Sequence, residues 1–206
     1  MTVSKALLVR VEARPGKEVE VEQFLRGALP IVQGEPDTMP WFALRKDDRA
    51  FGIFDAFPHD AARQAHLSGG VGQALMARAD ELFAKPPQIE QLDVLASKLP
   101  AAAPTEPVTK GLLLTFKAKA GHEAQVEQFL RNAQPLVQDE PATTAWFAIR
   151  LGNGEYGIFD VFPDNGGRLA HLAGRVPREL TKHALSLLGS VPDPDLLDVL
   201  ASKLPD

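Results

Sequence analysis

The 206 residues are 45% apolar and 24% charged with a formal charge of −5, the balance of a folded chain of one large or two small domains. The acidic excess speaks against a phosphate-tracking nucleic-acid binder, and the absence of cysteine excludes disulfides, thiolate metal sites and a cysteine nucleophile. No apolar run approaches the ~20 residues of a membrane span, and Arg10 and Glu12 interrupt the apolar stretch at the N-terminus, so the expectation is a cytoplasmic protein without a signal peptide.

The chain is written twice. A shift of 105 positions aligns 5–100 with 110–205 without a gap, and about half of the aligned positions are identical. VEQFLR (21–26, 126–131), WFA (41–43, 146–148), GIFD (52–55, 157–160) and LDVLASKLP (92–100, 197–205) recur intact. The expected organisation is a first repeat over 1–100, a linker over 101–108 (AAAPTEPV) and a second repeat over 109–206.

Within each repeat the spacing predicts strand, helix, strand, strand, helix, strand. Leu7, Val9, Val11 and Ala13 alternate with more polar residues, the period of a half-buried strand. After Pro15-Gly16, the positions Val21, Phe24, Leu25, Ala28, Ile31 and Val32 give one buried helix face from 17 to about 33, ended by Glu35-Pro36. Segments 41–46 and 51–57 flank Asp47-Asp48 and read as a hairpin, with better turn residues, Gly152-Asn153-Gly154, in the second copy. A short helix from Pro58 or Asp60 to Gly69-Gly70, a second over 71–84 and a strand at Leu92, Val94 and Ala96 complete the unit.

This order, βαββαβ, makes a four-stranded antiparallel sheet with helices on one face. The other face needs a partner that one repeat lacks. The duplication supplies it, so the expected fold class is α+β: two ferredoxin-like repeats forming an intramolecular pseudo-dimeric α/β barrel about an internal near-twofold axis. Such a chain is expected to be monomeric.

The patterns Trp41–Arg45, 51–55 (FGIFD) and 63–67 (RQAHL), repeated at 146–150, 156–160 and 168–172, resemble the antibiotic-biosynthesis-monooxygenase group of the dimeric α/β-barrel superfamily. The resemblance covers nearly the whole chain, twice. It implies an eight-stranded barrel with one pocket per repeat between sheet and helices. It also implies cofactor-independent monooxygenation, with O₂, of an electron-rich aromatic such as a quinol, anthrone or polyketide phenol. Architecturally similar proteins without a reaction leave a second expectation open: a barrel that binds a hydrophobic small molecule or serves a stress response.

Two other chemistries are disfavoured by context. Gly152–Gly157 matches the letters of a dinucleotide fingerprint but leads into a strand, so no helix N-terminus is there to hold a pyrophosphate. No pair among the five histidines has the four-residue spacing of a helical zinc site, and no metal is expected.

The candidate catalytic residues are His66 and His171, general bases whose unperturbed pKa of about 6.5 leaves them mostly neutral near pH 7. Arg63 and Arg168, three residues earlier on the same helix face, should favour that neutral form. Trp41 and Trp146 suit one wall of an aromatic pocket, or equally a sheet–helix core. Arg45 and Arg150, four residues on, stabilise a substrate oxyanion or form surface ion pairs. Asp55 and Asp160, inside apolar strands, need a partner if buried, an arginine or the indole N–H.

Overall fold

The computed structural model describes residues 2–205, less the side chains of Ala184 and Leu185. In chain order the elements are β1 (Lys5–Glu12), α1 (Glu18–Gly27), α2 (Leu29–Gln33), β2 (Trp41–Arg45), β3 (Ala50–Phe57), α3 (Asp60–Ser68), α4 (Gly70–Leu82) and β4 (Gln88–Lys98). The second repeat gives β5 (Lys110–Lys117), α5 (Glu123–Gln138), β6 (Ala145–Gly152), β7 (Glu155–Phe162), α6 (Asn165–Leu172), α7 (Arg175–Leu187) and β8 (Asp193–Lys203). The fold is α+β, and the strands form one closed barrel in the hydrogen-bonded order β1-β3-β2-β8-β5-β7-β6-β4. None of the described helices is long and apolar enough to cross a membrane.

Two compact units divide the chain, and they are not coextensive with the repeats. One comprises Met1–Leu92 with Leu197–Asp206, the other Asp93–Leu196. In the first, β2 pairs antiparallel with β3 on one edge and with β8, the last strand of the second repeat, on the other. In the second, β6 pairs with β7 and with the end of β4 from the first repeat. The exchanged strands carry the duplicated LDVLASKLP, so each β2-type strand meets the same partner sequence: Trp41 lies opposite Lys203 and Trp146 opposite Lys98.

Each unit has its own helix-facing core. In the first, Val9, Val11, Trp41, Ala43, Phe51 and Ile53 of the sheet pack against Val21, Leu25, Val32, Val71, Leu75 and Leu82. In the second, Phe116, Trp146, Ala148, Tyr156 and Ile158 pack against Val126, Leu130, Val137, Val176 and Leu180. Each large side chain so buried contributes roughly 1.5–3 kcal/mol. The opposite strand faces, with Phe42, Phe54, Phe147 and Phe159, are fully buried as well. That is why these strands read as near-continuous apolar runs rather than strict alternation. The strand glycines of GIFD have a local reason: a Cβ on Gly52 would lie 2.6 Å from the Val9 carbonyl oxygen, and one on Gly157 2.7 Å from that of Leu114.

The helix expected from 17 to 33 is continuous only in the second copy. There α5 runs through Pro135, whereas the first copy breaks at Ala28 into α1 and α2. Both copies have a proline that removes one backbone N–H, but the first also has Gly27 where the second has Asn132, and glycine lowers the cost of opening that turn. The second hairpin closes on Asn153 (φ 52°) and Gly154 (φ 74°), the positive pair that matches strand twist. In the first, the Asp47 carboxylate instead accepts from the backbone N–H of Arg49 (2.9 Å) and Ala50 (2.8 Å).

Candidate functional site

Asp55 lies mid-strand in β3 on the helix-facing side, in register with Leu7 of β1 and Trp41 of β2; Asp160 holds the same place in β7 against Leu112 and Trp146. Both carboxylates are buried, at 1% and 0% exposure. After β3 and β7 the chain turns into α3 and α6, capped by the His59 ring, which accepts from the Ala62 N–H, and by the Asp164 carboxylate, which accepts from the Gly167 N–H. Near the end of these helices His66 and His171 point back at the sheet. His66 Nε2 comes within 3.1 Å of Asp55 Oδ2, and His171 Nε2 within 3.6 Å of Asp160 Oδ2, ion-pair contacts off the line of a hydrogen bond.

The other ring nitrogen meets a second carboxylate. His66 Nδ1 lies 2.5 Å from Glu35 Oε2, and His171 Nδ1 2.6 Å from Glu140 Oε2. Thr38 and Thr143 donate to the same glutamate oxygens at 2.6 and 2.9 Å and stand 3.3 Å from Nδ1. Phe57 and Phe162 cover the imidazoles, with ring centroids 5.4 and 5.5 Å away. The glutamates are held by the exchanged strands. Lys203 Nζ donates to the carbonyls of Val32 (2.9 Å) and Glu35 (2.5 Å), and Lys98 Nζ to those of Val137 (3.0 Å) and Glu140 (2.6 Å), where a cation complements a helix C-terminus.

This arrangement favours the protonated form of both histidines, opposite to the sequence expectation. Burial alone would push the His66 imidazole down, but Asp55 and Glu35 outweigh it and raise its pKa to about 9. His171 is likewise raised against its burial, by Asp160 and Glu140. The Arg63 guanidinium is engaged elsewhere: it donates to the Leu92 carbonyl (3.0 Å) and pairs with Asp60. Arg168 turns to the Gly111 carbonyl and the Asn165 side chain. Burial drives Asp160 up to about 7, with Glu140 adding to the rise and His171 opposing it, and Asp55 is raised by burial too. Burial would raise Glu140, yet His171, Thr143 and Lys98 hold it below its ordinary value.

The partner of each buried aspartate is therefore histidine, not arginine and not the indole. Trp41 and Trp146 are fully buried opposite the aspartates, yet both indole Nε1 atoms and all four aspartate oxygens lack a hydrogen bond among the described residues. Arg45 is held by Glu22 and Asp198, both at 3.1 Å, and Arg150 by Glu127 at 2.9 Å and Asp93 at 2.6 Å. These half-exposed ion pairs lie at the far end of the strand from the histidine. Glu35, Glu140, Thr38 and Thr143 were absent from the sequence candidates. Their signal was recurrence: Glu-Pro-x-Thr stands at 35–38 and again at 140–143.

In the second unit a cavity of about 390 Å³ ends on this cluster. Asp160 and His171 supply its polar wall; Leu112, Leu114, Ile158 and Leu180 are among its apolar ones. Its size and its few convergent polar groups suit a small organic molecule.

No protein-family model and no curated protein matches the chain. Solved structures do. A proposed monooxygenase from Fusobacterium nucleatum superposes with a TM-score of 0.85 over 98% of this chain and 95% of its own, at 14% identity. A protein of unknown function from Nitrosomonas europaea is 49% identical over 48% of this chain and 97% of its own, with a TM-score of 0.48. A ferredoxin-fold protein from Listeria monocytogenes related to antibiotic biosynthesis monooxygenases matches over 96% of this chain and 95% of its own, at 9% identity and a TM-score of 0.56. The class is thus the ferredoxin-like α+β barrel. This chain has the same fold as those full-length neighbours, with its eight strands supplied by a tandem duplication.

Proposed function

We propose that the protein is a cofactor-independent monooxygenase that oxidises an electron-rich aromatic, such as a quinol, anthrone or polyketide phenol, with O₂. The observation that carries this reading is the apolar cavity ending on Asp160 and His171. Such a substrate needs no flavin or metal, because its anion is itself the electron donor to O₂. The protein has to bind the ring, take one proton and keep water out. Asp160, its affinity for a proton raised to about 7, is matched to that task near neutral pH, and the His171 imidazolium beside it steadies the charged form. The base is the Asp–His pair, Asp55–His66 in one unit and Asp160–His171 in the other. Trp41 and Trp146 back the pair as core side chains, while Arg45 and Arg150 stay engaged in their ion pairs away from it.

For an anthrone the balance is CH₂ + O₂ giving C=O + H₂O. The base takes one C–H proton, the carbanion forms the C–O bond with O₂, and the resulting peroxide regains that proton. Loss of the second C–H proton then forms the carbonyl as the O–O bond breaks, and the departing hydroxide with that proton is the water. The test is O₂ uptake with a panel of anthrones and hydroquinones, without added metal or flavin and again with chelator. Substrate-dependent uptake is expected. Its absence across a broad panel overturns the reading in favour of a binding protein for a hydrophobic molecule, which the apolar cavity walls would also suit.

A further inference from the structure

We propose that Asp, His and Glu in each unit form a three-group proton store, in which Glu35 and Glu140 are positioning residues that let the buried aspartate take a substrate proton and later give it back. The inference rests on the function proposed above and deepens it.

The geometry is a row, repeated in both units. Asp160 faces the cavity, His171 Nε2 faces Asp160, and His171 Nδ1 faces Glu140 Oε2. Asp55, His66 and Glu35 make the same row at 3.1 and 2.5 Å. The charged or hydrogen-bonding groups around it are Thr143 and Lys98 in one unit, Thr38 and Lys203 in the other. Counted with both carboxyls ionised and the imidazole protonated, the row carries a net charge of −1. One further proton, on Asp160, brings it to zero. If the Nδ1 proton then shifts to Glu140 Oε2, the carboxyls and the imidazole are all neutral and no charge remains buried. One N–H bond breaks, one O–H bond forms, and no electrons leave the row. The reverse shift restores the imidazolium.

The reaction calls for storage rather than disposal. The proton taken from carbon has to reappear on oxygen, because the peroxide regains it before the O–O bond breaks. A carboxyl that first accepts and then donates, at the end of a largely apolar cavity, meets both needs. Without the glutamate, Asp160 would be protonated beside an imidazolium that has no neutral form within reach.

The experiment uses the full chain and anthrone in the absence of oxygen, reading bound anthrolate by absorbance, affinity by titration and bulk pH by electrode. Wild type is expected to form anthrolate with well under one proton released per anthrolate. E35Q/E140Q, which keeps a hydrogen-bonding oxygen but not the proton acceptor, is expected to bind anthrone as wild type does yet form about tenfold less anthrolate. E35D/E140D is expected to recover part of it. A variant that lost affinity and anthrolate together would overturn the assignment in favour of a structural role, as would E35Q/E140Q ionising anthrone like wild type. Release of a full proton per anthrolate by wild type overturns storage, as does wild type that leaves anthrone unionised. Anthrolate formation by a wild type that shows no O₂ uptake sustains the store while ending the oxygenase reading.

Discussion

His66 touches a carboxylate on each side of its ring, so its removal takes away the cation on which both depend. Replacing His66 and His171 together by alanine is expected to slow O₂ uptake by ~10²–10⁴, the range for loss of an acid–base group. Each single variant should keep about half of the activity if both units work; if only one does, the loss falls on one variant. Leaving the carboxylates unpaired should cost on the order of 3 kcal/mol, measured by urea unfolding. The pH dependence has a defined sign. A histidine whose folded pKa is about 9 stabilises the fold fully below its ordinary 6.5 and loses that contribution as pH rises to about 9. Asp160, also raised, acts in the same direction between its ordinary 3.8 and about 7. The urea midpoint should therefore fall between pH 6.5 and 9, and this slope should flatten in His66→Gln. A midpoint that rises over that interval would contradict the ion-pair geometry.

At the scale of elements, the exchanged strands reach the site through one atom each, Lys203 Nζ and Lys98 Nζ on the carbonyls beside Glu35 and Glu140. Methionine at either position keeps the stem but loses two charge-assisted hydrogen bonds, for about 2 kcal/mol of stability. The expected signature is selective: amide exchange should quicken over 32–38 in Lys203→Met and over 137–143 in Lys98→Met. Equal quickening over the whole chain would mean that the lysines serve only global stability. The helices before these carbonyls were legible from periodicity, because a helix face depends on residues three and four apart. Their terminal loops were not. Glu35 lies 20 residues from Asp55 and 31 from His66 in sequence, and no local period links them.

For the whole molecule, the exchange predicts what a half would do. In the fragment 1–100 β2 lacks the strand it pairs with, and an open apolar edge invites pairing with another copy. Two fragments can satisfy each other, each lending its last strand, so light scattering should find a dimer, while the intact chain runs as a single particle. A fragment that stays a well-folded monomer would show that β2 does not need the exchanged strand.

The sequence by itself determined the duplication, the βαββαβ order, the paired hairpins and the presence of His66, His171, Asp55 and Asp160 on elements that could carry a site, because all of these depend on neighbours in the chain. Tertiary structure alone decided which groups meet. It placed a second carboxylate on the far side of each imidazole and gave the arginines other partners, and so favours the protonated form of both histidines. It also decided which repeat's tail completes which sheet. LDVLASKLP is identical at 92–100 and 197–205, so side-chain preference cannot distinguish the two tails. Only closure of the barrel, a long-range condition on strand order, assigns β8 to β2 and β4 to β6.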